Sequence, residues 1–168
     1  QLATAALVIA GQALSGSMGL TMANLIDPTL GNVPVLSQFF TLLGTLVFLA
    51  IVGHLIVFGI LLESFQQFPI GQSLMTQEFM GKMISWSAMM FVASLLISLP
   101  VLITLLFVNI GLGFVTRAAP SLNIFSVGFP AMVLSGFLVL WLALPNVIGR
   151  INWLWVQTFN QLRSLLLT

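Results

Sequence analysis

An all-α, membrane-associated fold of kinked helical hairpins follows from three properties of the sequence. Of 168 residues, 60% are hydrophobic and 4% are charged, whereas soluble domains carry about 25% charged residues. The few charges divide the chain into long apolar blocks, with none between Asp27 and Glu63, between Lys82 and Arg117, or between Arg117 and Arg150. Each block is far longer than a strand and lacks the two-residue alternation of a membrane barrel. So apolar a surface belongs to an integral membrane protein or to the buried part of a membrane assembly.

The same composition excludes several functions. There is no cysteine, His54 is the only histidine and the acids are scattered, so no disulfide, metal cluster or cofactor site is expected. A net charge of +1 without a basic run argues against nucleic acid. The Gly111–Phe114 run, Gly-Leu-Gly-Phe, lacks the strand-to-helix setting of a dinucleotide site, and no Walker-type lysine occurs. Only His54 could serve as base to a nucleophile, so no enzyme is expected. Gln1 opens directly into an apolar segment without the basic start and cleavage site of a signal peptide. A preceding N-terminal part is therefore expected.

The first helix is expected in LATAALVIAGQAL, after which GSMGLTMANLIDPTLGNVP, Gly16–Pro34, breaks the apolar pattern. Its glycines permit tight bends, Asp27-Pro28 starts a turn, and Pro34 suits the first turn of the next helix. The block Val35–Leu62 would be a helix of about 42 Å, against a hydrocarbon core of about 30 Å. Such a helix must tilt, overshoot the membrane or sit inside protein. Ser37, Thr41, Gly44 and Thr45 share a face that permits close helix packing, within this chain or onto another subunit. His54, with Ala50, Ile51, Val57 and Phe58 as helical neighbours, lies about 180° round the helix from Thr45. It reads either as a proton-responsive group or as an interhelix hydrogen-bonding one.

The link Glu63–Lys82 contains a Phe-Pro-Ile-Gly turn, with Glu78 and Lys82 four apart at the next helix start. Glu63 and Glu78 fall near helix ends, where solvation suits them better than paired acid–base work. Pro100 is expected to divide Met83–Thr116 into halves of about 25 Å, and Ser87, Ser94 and Ser98 form a second small-residue face. Pro120, Pro130 and Pro145 interrupt the third block. Broken apolar helices need protein neighbours to satisfy the freed backbone. The tail, 147–167, is amphipathic, with Ile151, Leu154, Trp155, Leu162 and Leu166 opposite Arg150, Gln157, Gln161 and Ser164. Trp153 and Trp155 suit a membrane–water interface, and the tail either completes the fold or senses lipid. The whole chain, 1–168, reads as a single all-α domain.

Three stretches together resemble the FliR family of flagellar type III export-gate proteins. They are MGLTMANLIDPTLGNVPVL (Met18–Leu36), VGHLIVFGILLESFQQFPIG (Val52–Gly71) and RAAPSLNIFSVGFPA (Arg117–Ala131). The third is the most specific, through Arg117, Pro120, Asn123, Phe125, Gly128, Phe129 and Pro130. The resemblance covers essentially the whole chain and corresponds to the middle and C-terminal parts of the family. The virulence injectisome counterpart is the close rival, and Phe-Ser-Val-Gly-Phe-Pro leans flagellar.

The resemblance implies a non-enzymatic subunit that assembles with FliP and FliQ into a helical, conical protein-conducting gate, joined by FlhB. FlhA and the cytoplasmic ATPase complex would feed it unfolded rod, hook and filament proteins. It would reside in the lipid bilayer of the bacterial inner membrane, in the flagellar basal body, with much of the cone raised toward the periplasm. The resemblance further implies that Met18, Gly19, Leu20, Thr21, Met22, Ala23, Asn24, Leu25, Ile26, Asp27 and Pro28 enter the lumen and plug the closed channel. Met18 and Met22 have the compliance such a seal needs. By its residues alone the stretch also reads as a buried connector between helices. Two rival classes are a fragment of an ion or small-molecule transporter and a transient assembly factor. A carrier would show an internal repeat and converging polar groups. No repeat is present, and around Pro100 only Ser98 and Thr104 are polar.

Overall fold

The computed structural model describes residues 1–20, 35–67, 77–118 and 128–166. These form five helices: α1 (Leu2–Ser17), α2 (Val35–Ala50), α3 (Gly53–Gln67), α4 (Gln77–Ala118) and α5 (Phe129–Leu166). No strand occurs among the described residues.

The alanine-rich, proline-free sequence of α1 favours a helix, and its buried residues Ala3, Ala6, Leu7, Ala10, Gly11 and Leu14 follow helical spacing. Because that stripe is mostly small, α2 and α4 both come close to α1. A Cβ on Gly11 would lie 2.5 Å from the Ser37 nitrogen and 2.8 Å from the Leu36 carbonyl carbon. The Ser37 hydroxyl donates to the Val8 carbonyl at 2.9 Å. Further along, Gly44 lies against the Leu7 side chain. Of the expected small-residue face, Ser37 and Gly44 are thus used inside this chain. Thr41 is half-buried and Thr45 exposed, and both donate to their own helix, to the Ser37 and Thr41 carbonyls.

The block Val35–Leu62 is not the single long helix expected. It breaks at Ile51–Val52, and α2 and α3 are bent by 69°. Val52 has φ 56°, a left-handed conformation that costs a side-chain-bearing residue roughly 1–2 kcal/mol. The Val52 N–H donates to the Leu49 carbonyl, and the Leu55 and Ile56 N–H groups restart the ladder on the Val52 carbonyl. Packing holds the bend. A Cβ on Gly53 would meet the Phe48 ring at 2.5 Å. The Phe48 ring lies against Trp155 and Phe159 of α5, at centroid distances of 4.7 and 6.1 Å.

Nor does Pro100 divide the next block. The 42 residues of α4 form one helix with Pro100 inside. An interior proline costs about 3 kcal/mol. The buried stripe Ala93, Ser94, Ile97, Ser98, Val101 and Leu105 runs through it, so helix packing on both sides outweighs that penalty. Ser94 and Ser98 of the expected serine face are buried and Ser87 is half-buried. The Lys82 ammonium pairs with Glu78 at 2.9 Å, as the spacing predicts. In α5, Pro130 falls in the first turn, where proline fits, and Pro145 lies inside a 38-residue helix. The amphipathic tail is the second half of that helix. Ile151 and Leu154 are buried. The Trp155 indole N–H donates to the Gly44 carbonyl at 2.9 Å, so this tryptophan ties α5 to α2.

Large apolar side chains face outward elsewhere, among them Phe58 and Phe65 of α3, Phe91 and Phe107 of α4 and Trp141 of α5. By length and composition α4 and α5 can each cross a membrane, and the bent α2–α3 pair could count as a third span.

Replacing Gly11 by Ala is expected to lower stability by about 1–3 kcal/mol or more, because the clash is with backbone. Gly16→Ala, where an added Cβ meets nothing within 4 Å, should leave stability unchanged or slightly raised. Thermal unfolding of the purified protein in detergent checks this. Equal responses of the two variants would contradict the close α1–α2 approach.

Candidate functional site

The glycine-rich stretch leaves the described structure at the end of α1, and its departure is fixed by backbone and packing together. The Met18 N–H donates to the Leu14 carbonyl at 3.0 Å and the Gly19 N–H to the Gly16 carbonyl at 3.1 Å. Gly19 has φ 72°, the left-handed turn with which a glycine commonly ends a helix. Directly before that turn, Met18, still in helical conformation, fits a notch in α5. Met18 is 0% exposed. A Cβ on Gly136 would lie 2.5 Å from its Cε and 2.6 Å from its Cγ. A Cβ on Gly19 would stand 3.2 Å from the Met132 Cε and 3.7 Å from the Phe129 ring.

Two of the resemblance-bearing stretches therefore meet. Met18 and Gly19 of the first touch the opening turns of α5, which begins with Phe129 and Pro130 of the third, directly after Gly128. Gly128 is buried, Phe129 half-buried and Pro130 exposed. The structure places Met18 in this chain's own core rather than on an open surface. Met18 and Gly19 anchor the end of α1 against α5, and Leu20 beyond them is half-buried. Thr21, Met22, Ala23, Asn24, Leu25, Ile26, Asp27 and Pro28 lie outside the described residues, as do Pro120, Asn123 and Phe125. Arg117 is exposed in the last turn of α4, where its charge complements the negative end of the helix dipole.

His54 is the second residue of α3 and is exposed. Because of the break at Ile51–Val52, Ala50 and Ile51 belong to the other side of the bend and are not its helical neighbours. Nor does its expected angular relation to Thr45 survive the bend. Among the described residues no group of three or more His, Asp or Glu could hold a metal ion.

Gly136 and Met132 were missed by sequence reasoning. The Ser135-Gly136 pair inside a run of large apolar residues was the available signal, since small residues mark close helix contact. The polar surroundings of Pro100 were also underestimated. A cleft between α4 and α5 is lined by Pro100, Pro145, Asn146, Arg150 and Trp153, so a second proline, an amide and a guanidinium join it from the partner helix.

Known proteins resemble this chain along its length. The family described as Bacterial export proteins, family 1, matches residues 1–158. The flagellar biosynthetic protein FliR of Pectobacterium carotovorum subsp. carotovorum is 35% identical over 167 residues, covering 99% of this chain and 64% of that protein. The protein of the same name from Escherichia coli (strain K12) is 31% identical over 167 residues, with the same coverage of 99% and 64%. That of Aquifex aeolicus (strain VF5) is 34% identical over 143 residues, covering 84% of this chain and 55% of that protein. The chain thus spans less than two thirds of the length of these relatives.

For the anchor, Met18→Ala is expected to cost about 2–5 kcal/mol by leaving a cavity, and Gly136→Ala about 1–3 kcal/mol by overfilling the notch. The double variant should be less destabilised than the sum, by about 0.5 kcal/mol or more. Strict additivity in thermal or denaturant unfolding would show that the two residues do not touch.

Proposed function

The chain belongs to family 1 of the bacterial export proteins, and from that membership we propose that it works as a non-enzymatic structural subunit of the flagellar type III export gate. The observation that carries the reading is the match over nearly the whole chain to flagellar biosynthetic proteins. On this reading it lies in the bacterial inner membrane within the flagellar basal body. FliP, FliQ and FlhB are its neighbours, FlhA acts beside it, and unfolded rod, hook and filament proteins pass through the shared channel.

The physical properties of the chain support that role. A protein made to stand alone in lipid would need neither a bend held by aromatic packing nor two helices of 42 and 38 residues. At about 1.5 Å per residue each is about twice as long as a 30 Å hydrocarbon core is thick. Helices of that length, with apolar faces turned outward along most of them, suit an assembly in which other subunits cover what lipid does not. The stretch after Gly19 is then a deformable seal held at one end by Met18 in its notch. The seal can yield to an unfolded chain without the helices around it coming apart.

Co-expression with FliP and FliQ tests the gate assignment. The three are expected to co-elute as one complex, and a stable monomer that never co-elutes would contradict it. Deleting Thr21 to Asp27, which keeps the anchor, should leave assembly intact and make cells leak ions or small solutes. An intact barrier in the assembled deletion variant would rule out the seal.

A further inference from the structure

We propose that the cleft between α4 and α5 binds one anionic glycerophospholipid, with its phosphate on Arg150 and Asn146 and one acyl chain along the groove beside Trp141. The proposal rests on the chain being membrane-associated, not on its place in an export gate.

Charge selects the headgroup. Arg150 is the only formal charge between Arg117 and Arg163. It is exposed in the middle of α5, and among the described residues its guanidinium has no ion-pair partner. Glu78 is taken by Lys82 and lies about 33 Å of helical rise before Pro100, which lines the same cleft as Arg150. A guanidinium carries five donors and no acceptor, in a fork that matches a phosphate. Asn146 is exposed four residues earlier on the same helix, so its amide stands beside that fork and adds a donor.

Shape selects an amphiphile. The cleft has a volume of about 550 Å³, within the range of small-molecule sites. Ile97, Pro100, Ala143 and Val147 form its apolar walls, and the half-buried Trp153 stands beside Arg150. Gly149 also lines it, and a Cβ there would meet nothing within 4 Å, so the absent side chain keeps the cleft open. At Pro145 the cleft adjoins a groove of about 460 Å³ lined by Trp141, Leu142, Leu144 and Ile148, which carries no charge. A cationic, amide-bearing end continuous with an apolar track matches a phospholipid. Free phosphate would use only the first part. A carboxylate from a neighbouring polypeptide would pair Arg150 and leave the track empty. Basic clefts between membrane helices hold anionic headgroups for the same reason.

The test uses the protein purified with whichever subunits co-elute. It is washed in detergent and titrated with phosphatidylglycerol or with phosphatidylcholine of the same acyl chains, and retained lipids are counted by native mass spectrometry. The unmodified protein is expected to hold one more phosphatidylglycerol per copy of this chain than Arg150→Gln or Gly149→Leu. At that site it should retain phosphatidylglycerol several-fold better than phosphatidylcholine. Gly149→Leu fills the cleft while keeping the charge, and the open space at Gly149 lets that variant fold. Inorganic phosphate should not displace the lipid. An unchanged lipid count in either variant, equal retention of the two lipids, or displacement by inorganic phosphate would overturn the proposal. Loss of a co-eluting subunit from Arg150→Gln with no change in lipid would overturn it too, because Arg150 would then pair with a protein acid.

Discussion

The close approach of α1 and α2 at Gly11 is the constraint on which the rest of the chain depends. With no Cβ there, the Ser37 and Leu36 backbone can come to van der Waals distance, and Ser37 can donate to the Val8 carbonyl. Small residues along α1 then leave room for α4 on its other side. In a membrane setting helices gain little from the hydrophobic effect against one another, so close contact and hydrogen bonding must hold them. Gly44 extends the same logic. It lies against Leu7 of α1 and accepts the Trp155 indole N–H from α5, which brings three helices to one backbone position.

From that centre the fold fixes both ends of function. At one end α1 terminates in a left-handed glycine and a buried methionine, so the stretch that follows starts from a defined place beside the first turn of α5. At the other end α2 turns sharply into α3 around Phe48, and α3 carries Leu55, Phe58, Leu62 and Phe65 away from this chain's core. A close-packed centre, a packed end of α1 and an outward apolar arm suit the proposed role of a subunit within a larger assembly.

Much of this was legible in the sequence, for physical reasons that differ by element. Long apolar blocks without alternation can only be helices, and the Glu78–Lys82 pair and the Ser37–Gly44 face depend on local spacing. The Val52 bend was hidden because its cause is not local. A β-branched residue in a left-handed conformation has no sequence signature, and Phe48, Trp155 and Phe159 stabilise it from afar. Pro100 and Pro145 misled in the opposite direction. The penalty of one proline is set by the helix itself, whereas the packing that overrides it comes from neighbouring helices. The candidate site was half legible. Gly16–Pro34 stands out as a break in pattern, but nothing local to Met18 shows that Gly136, far along the chain, receives its side chain.

The central claim is that other gate subunits fill the outward apolar face of α3. Site-specific photo-crosslinking from Phe58 and Phe65 of α3 in living cells measures that most directly. The account predicts covalent adducts between this chain and another polypeptide of the export gate. Adducts with lipid alone, in cells where the protein is correctly inserted, would contradict it.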